Sequence, residues 1–400
     1  MIQPKSLPMN ANKRTFLAIA LMVAFCASQV RAAAEDKNEA KRPPYRFPQL
    51  MVIVYADFPN EPEHQLALAK YTLSKGFNCV EAEVNMLDVC RKAGLMVRLG
   101  STDIGSMLEV APKLKDDPAV LGYFISDRRS RKAFPGFAEI ARAFEAADPN
   151  HPTLFINRAE YNQFPEFTEV VKPMVLDYYH YHWSSKNHPE RYYLYLRMFR
   201  DLSNKHDIPQ MRVLGSSPAP PMVRQSMYVS LAYGIQAIHF WPPHFVGCEM
   251  DQDRNAILEN GRPVFSLSAQ GKAVSEVALE LKAIGPVLLK LKNHAVYHTD
   301  KVLPIGAEKA PPDFWFQPEG DTFLVGVFHD EEKHRYLMPV NHAVDVAREL
   351  TLRFKDEAVS VELMDRKTSE WRPLPLEKGD GTRLLRLTLA PGDGELLRVK

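Results

Sequence analysis

Strand and helix patterns alternate along this 400-residue chain as far as Asn293, and short period-two runs follow. That succession predicts an α/β fold, a (β/α)8 TIM barrel followed by a small antiparallel β-sandwich. Two further observations favour the barrel. Eight short apolar runs, each followed by helical or loop material, match the count of a closed barrel. The first turn after a strand, Tyr55-Ala56-Asp57-Phe58-Pro59, lacks the glycines that a doubly wound open sheet places there.

The N-terminus reads as a secretory signal over residues 1–32. Lys13-Arg14 form the charged region, Phe16–Phe25 the apolar one, and Val30-Arg31-Ala32 puts small residues where cleavage after Ala32 needs them. The apolar run is too short to span a bilayer comfortably, so no membrane anchor is expected. Phe25 before Cys26 does not suit a lipoprotein signal. The charged, proline-ended stretch 33–47 reads as a linker. Secreted or periplasmic export is the expectation.

Barrel strands are predicted at Leu50–Tyr55, Asn78–Ala82, Leu95–Leu99, Val120–Ser126, Thr153–Ile156, Met174–Tyr178, Met211–Leu214 and Ala237–Trp241. Helical spacing falls between them at His64–Ser74, Met86–Lys92, Ile104–Leu114, Phe134–Ala147, Phe167–Lys172, Glu190–Asn204 and Met222–Tyr233. Gly76, Gly94 and Gly234 supply stops. A long amphipathic helix, Ser268–Leu291, is expected to be interrupted at Gly285-Pro286. The barrel is thus placed at 48–292 and the sandwich at 293–400. Strands of the latter are predicted at Phe314–Gln317, Thr322–Phe328, Tyr336–Val340, Glu349–Phe354, Val359–Met364, Arg383–Leu389 and Glu395–Val399.

A net charge of +1 implies neither a nucleic-acid nor a membrane-surface partner. After signal cleavage the cysteines are Cys79, Cys90 and Cys248, an odd number that excludes a complete intrachain disulfide set. Cys79 and Cys90 are expected to be buried small apolar residues. Neither CxxC nor HExxH spacing occurs, so the sequence makes no case for zinc, and no cofactor is expected.

Several segments resemble one family. The stretch Asp117–Phe155, DPAVLGYFISDRRSRKAFPGFAEIARAFEAADPNHPTLF, is similar to the fourth-strand segment of secreted glycoside-hydrolase-like barrels, in which an Asp-Glu-Pro ends the strand. Asp127 keeps the Asp, while Arg128 and Arg129 stand where Glu and Pro would be. Val175–Tyr181 (VLDYYHY) resembles the sixth-strand pattern, and Arg224–Trp241 resembles the segment leading into strand eight. Gly261–Thr299, ending Val296-Tyr297-His298-Thr299, and the tail with Tyr336–Asn341 and Leu387–Val399 also match. The resemblance covers nearly all of the chain after the signal. It implies a barrel with a C-terminal β-sandwich and an oligo- or polysaccharide partner.

Glycoside hydrolysis needs two carboxyl groups flanking one bond, and a barrel delivers them from the C-terminal ends of its strands. The candidate catalytic residues are Asp127, Glu81 and Glu249. Glu249 is chosen because Val213–Ser217 offers no carboxylate where the family layout wants one. Candidate saccharide-binding residues are Asp57, Glu83, Arg128, Asp177, His180, His239 and Trp241, with Trp241 suited to stack on a sugar face. Glu83 has a rival role as a helix cap, and Asp57 as a turn residue. A metal site built on Asp177, His180 and His182 lacks a clear further ligand. Three functions follow: a hydrolase with a rearranged carboxylate pair, a purely structural secreted scaffold, against which the polar and aromatic strand ends argue, or a non-catalytic carbohydrate-binding relative. Arg128 and Arg129 favour the last, or else an anionic glycan such as a uronate or a sulfated sugar.

Overall fold

The computed structural model describes residues 44–101, 103–127, 134–158, 174–177, 189–215, 219–241, 245–356 and 359–400. Eight parallel strands close into a barrel: β1 (Met51–Val54), β2 (Cys79–Ala82), β3 (Met96–Gly100), β4 (Val120–Asp127), β5 (Thr153–Arg158), β6 (Met174–Asp177), β7 (Gln210–Gly215) and β8 (Ala237–Trp241). Closure is direct, with Ile53 of β1 opposite Cys79 on one side and His239 on the other. The expected strands are all present, within a residue or two of their predicted ends.

The helices between them are α1 (Pro62–Ser74), α2 (Leu87–Ala93), α3 (Ile104–Leu114), α4 (Phe134–Ala147), α5 (Tyr192–His206), α6 (Pro220–Ala232) and α7 (Ala269–Leu288). Local chemistry sets their ends. Asp103 accepts the Ser106 N–H at the start of α3, and Ser268 that of Gly271 at the start of α7. Gly94, left-handed at φ 80°, stops α2. Beyond α4, buried Asp148 accepts from the Tyr123 hydroxyl and from the Asn150 N–H. The predicted helix at Phe167–Lys172 lies outside the described residues. The expected break at Gly285-Pro286 does not occur. Pro286 sits inside the last turn of α7, and Gly285 lets that turn pack against Leu50.

Side-chain parity divides the barrel. Met51, Ile53, Cys79, Met96, Leu121, Leu154, Ile156, Met211, Val213 and Ala237 fill the interior, with Phe47 packed among them ahead of β1. The opposite faces meet the helices in the main core. Cys79, Cys90 and Cys248 are free and buried, and burial pushes the Cys90 thiol up to about 12.

From Lys292 the chain is antiparallel, and no helix occurs among the described residues of this part. Its strands are β9 (Lys292–His298), β10 (Phe316–Glu319), β11 (Phe323–His329), β12 (Arg335–Asn341), β13 (Arg348–Phe354), β14 (Val361–Met364), β15 (Trp371–Leu374), β16 (Glu377–Gly379), β17 (Thr382–Leu389) and β18 (Leu397–Val399). They form a six-stranded sheet, β9-β11-β12-β18-β14-β15, and a four-stranded one, β10-β13-β17-β16. Phe323, Val325, Val327 and Leu337 share an apolar cluster with Leu350, Leu352 and Leu385 of the second sheet. The alternate residues Leu324, Phe328, Met338 and Val340 belong instead to the barrel's core. The larger sheet is thus covered on both faces, so β11 and β12 are buried almost throughout rather than half-exposed.

Candidate active site

Parity carries two strands from apolar interior to polar mouth. Cys79 is followed two residues later by Glu81, and Met96 by Arg98, so both charged side chains point into the barrel at its C-terminal end. Glu81 and Arg98 are register partners on β2 and β3 and form an ion pair through Arg98 Nη1. Arg98 is 0% exposed and its guanidinium lies 3.9 Å from the centre of the Phe124 ring. Its Nε and Nη2 have no hydrogen-bond partner among the described residues. A guanidinium buried so deeply needs its carboxylate, and the cation–π contact with Phe124 adds to the support.

His239 of β8 is also fully buried, with Nδ1 3.1 Å from Arg98 Nη1. Arginine only donates, so Nδ1 accepts and the ring proton sits on Nε2. Nε2 lies 3.7 Å from Glu81, an electrostatic contact longer than a hydrogen bond. Burial, reinforced by the Arg98 cation, holds the His239 pKa well below its ordinary value, so the imidazole is neutral. Above this layer the Tyr55 ring lies 5.4 Å from His239 and 5.5 Å from Trp241, edge-on to the latter. Trp241 is 44% exposed. The Glu81 side chain is 14% exposed, whereas those of Arg98 and His239 are 0% and 1%.

The structure therefore brings together Glu81, His239 and Trp241, and it adds Arg98, Tyr55 and Phe124. It does not bring in three other candidates. Asp57 leaves the barrel on a two-residue strand, Ala56–Asp57, that joins Val246–Cys248 and Phe265–Leu267 in a small separate sheet, and it pairs with Arg254 at 2.6 Å. Glu83 is exposed at the start of the 3-10 turn Val84–Met86, without a side-chain capping bond. Glu249 is exposed on the excursion after Cys248 and makes no contact with the Glu81 cluster among the described residues. The backbones of Asp127 and Asp177 end β4 and β6. Their side chains, together with Arg128 and His180, lie outside what the structure describes.

Arg98 was legible in principle. The run Met96–Gly100 reads as apolar, but an arginine two residues after an inward methionine shares its face. Tyr55 carried a weaker signal, an aromatic ending strand one.

No protein-family model matches the chain, and no curated protein does. The solved structures to which it is similar include glycoside hydrolases. An α-galactosidase from Saccharomyces cerevisiae is similar over 88% of this chain and 97% of its own, at 7% identity and a TM-score of 0.47. An arabinofuranosidase from Xanthomonas axonopodis pv. citri is similar over 88% and 93%, at 8% identity and 0.40. A β-glucuronidase from Faecalibacterium prausnitzii is similar over 60% of this chain at 11% identity and 0.40, and the match spans about half of that enzyme, 49%. Likenesses this distant carry no conclusion about substrate.

Proposed function

We propose that this protein binds a saccharide at the C-terminal mouth of its barrel. The observation that carries the reading is an exposed tryptophan at the same barrel mouth as a partly exposed glutamate that is ion-paired to a buried arginine. Trp241 offers a flat apolar face to a pyranose ring, and Glu81 offers acceptors to its hydroxyls. Arg98 and His239 lie beneath and act by holding Glu81 in place, since neither reaches solvent. The barrel, residues 48–292, is taken as the binding domain and 293–400 as an attached sheet domain. Export after cleavage at Ala32 belongs to the same reading, on the strength of the tripartite N-terminus. Finding residues 1–20 on the mature protein by N-terminal sequencing would reject the export.

Hydrolysis is the second reading, favoured by the position of Glu81 inside the mouth. Against it, that carboxylate is engaged by Arg98. The preference for anionic glycans rests on Arg128 and Arg129 of the sequence and remains an arm of the test. A glycan array of neutral, uronate and sulfated oligosaccharides, paired with a release assay on every hit, separates these readings. Binding without turnover supports a carbohydrate-binding protein. Turnover lost in Glu81→Gln supports the hydrolase. No binding to any glycan rejects both.

A further inference from the structure

A second polar cluster lies away from the barrel mouth, between the barrel helices and the C-terminal sheets. His298 ends β9, Asp300 follows it, and His342 follows the last residue of β12. Nδ1 of His298 and Nε2 of His342 both face the same carboxylate oxygen, Asp300 Oδ2, at 3.2 and 3.1 Å. One ligand atom from each of the three residues falls within 4.8 Å of the others. The far ring nitrogens are held too. His298 Nε2 is 3.2 Å from the Tyr233 hydroxyl beyond α6, and His342 Nδ1 is 3.1 Å from the Tyr193 hydroxyl of α5.

Two proton arrangements satisfy these distances. In one, the phenols donate to the far nitrogens and both rings donate to Asp300. In the other, each ring donates to its phenol, and two lone pairs and a carboxylate oxygen then point at one another with no proton between them. Only a cation stabilises the second arrangement. The two measured separations, 3.2 and 3.1 Å, lie near the about 3.3–3.4 Å that bonds of about 2.0–2.1 Å place between neighbouring ligands of a tetrahedral centre. The convergence of both rings on a single oxygen, rather than one ring on each, also suits a shared centre. An outer partner on the second nitrogen of each ring is the usual way a metal-binding histidine is fixed in tautomer and orientation. Two imidazoles and a carboxylate fit zinc and its neighbours better than calcium or magnesium. The Asp300 side chain is 14% exposed, whereas that of His298 is fully buried.

We propose that His298, Asp300 and His342 form a zinc-class metal site that ties β9 and β12 to α5 and α6. The spacing, two ligands two residues apart and a third far along the chain, matches no local motif. The site has no part in the saccharide reading and stands or falls separately.

The test uses the whole mature protein, stripped with EDTA and titrated with zinc chloride in a calorimeter, then with cobalt chloride in a spectrophotometer. One zinc per chain, a higher thermal midpoint with zinc, and the visible absorption of four-coordinate cobalt are the expected results. Asp300→Asn and His342→Gln should each weaken zinc binding at least tenfold, while Trp241→Ala, which removes none of the three ligands, binds zinc as the parent does. The absence of zinc heat and cobalt absorption in the parent would overturn the proposal. So would zinc binding unchanged in both variants, or variants that lower the thermal midpoint equally with and without zinc, which is the behaviour of a hydrogen-bond network.

Discussion

Glu81 and Arg98 are the pair on which the mouth depends. Arg98 has lost all contact with water, and its carboxylate partner is the neighbour that makes this tolerable. Replacing Arg98 by methionine strands Glu81, and the expected loss is about 3 kcal/mol, the range for breaking a buried pair from one side. Adding Glu81→Gln should restore part of it, because no unpaired charge is then left. Chemical denaturation of the four proteins measures this, and a double variant less stable than Arg98→Met contradicts it. The pH dependence is set by histidines, one of which, His239, belongs to the same cluster. Burial comes first in lowering both His239 and His294; Arg98 adds to it at the former, and His329, Lys333 and Lys292 at the latter, which is pushed down to about 4. Below about pH 6.5, the ordinary histidine value, the unfolded chain binds more protons than the folded one. Stability present above that pH is therefore lost as the pH falls toward the folded values. Glu395 opposes this. Burial raises it to about 7, so its contribution is complete below the ordinary glutamate value and is lost as the pH rises through about 7. Urea midpoints should fall between about pH 7 and about pH 5, and fall more steeply in Glu395→Gln. A midpoint that rises on acidification contradicts the histidine assignment.

At the scale of elements, the barrel strands were legible because each is a short apolar run between turn residues. A sequence shows that spacing directly. Elements that owe their shape to distant partners were not legible. Strand β9 and the short strands Ala56–Asp57, Val246–Cys248 and Phe265–Leu267 have no local signature, and they pair with chain far away or with other short pieces. The Gly285-Pro286 pair misled for a related reason. Proline disrupts a helix interior, but here it falls in the final turn, and packing of Gly285 against Leu50 outweighs local preference. The candidate site divides along the same line. Trp241 and His239 end a strand and are visible as such, whereas the ion pair needs two strands in register. Gly326 of β11 shows how closely the elements fit. It faces the Ala232 carbonyl of α6, and a Cβ there collides with that oxygen. Gly326→Ala should cost about 1–3 kcal/mol by overpacking, read as a lowered urea midpoint; an unchanged midpoint would show that the seam is loose.

The whole molecule is organised around a sheet shared by two cores. Leu324, Phe328, Met338 and Val340 pack on the barrel while Phe323, Val325, Val327 and Leu337 pack on the second sheet. Neither part keeps its apolar faces covered without the other, so thermal unfolding should be one transition with equal calorimetric and van't Hoff enthalpies. Two separated transitions would show that residues 293–400 are energetically independent. The C-terminal sheets thus pack against the barrel from outside. The central claim, a saccharide over Trp241 and against Glu81, is tested most directly by calorimetric titration of the best array ligand into the parent protein and into Trp241→Ala. That tryptophan is exposed, so its loss leaves the fold intact. Binding to the parent should weaken about tenfold in the variant, the size of a stacking contact of roughly 1.4 kcal/mol. Equal affinity in the two proteins would place the ligand elsewhere and contradict that claim.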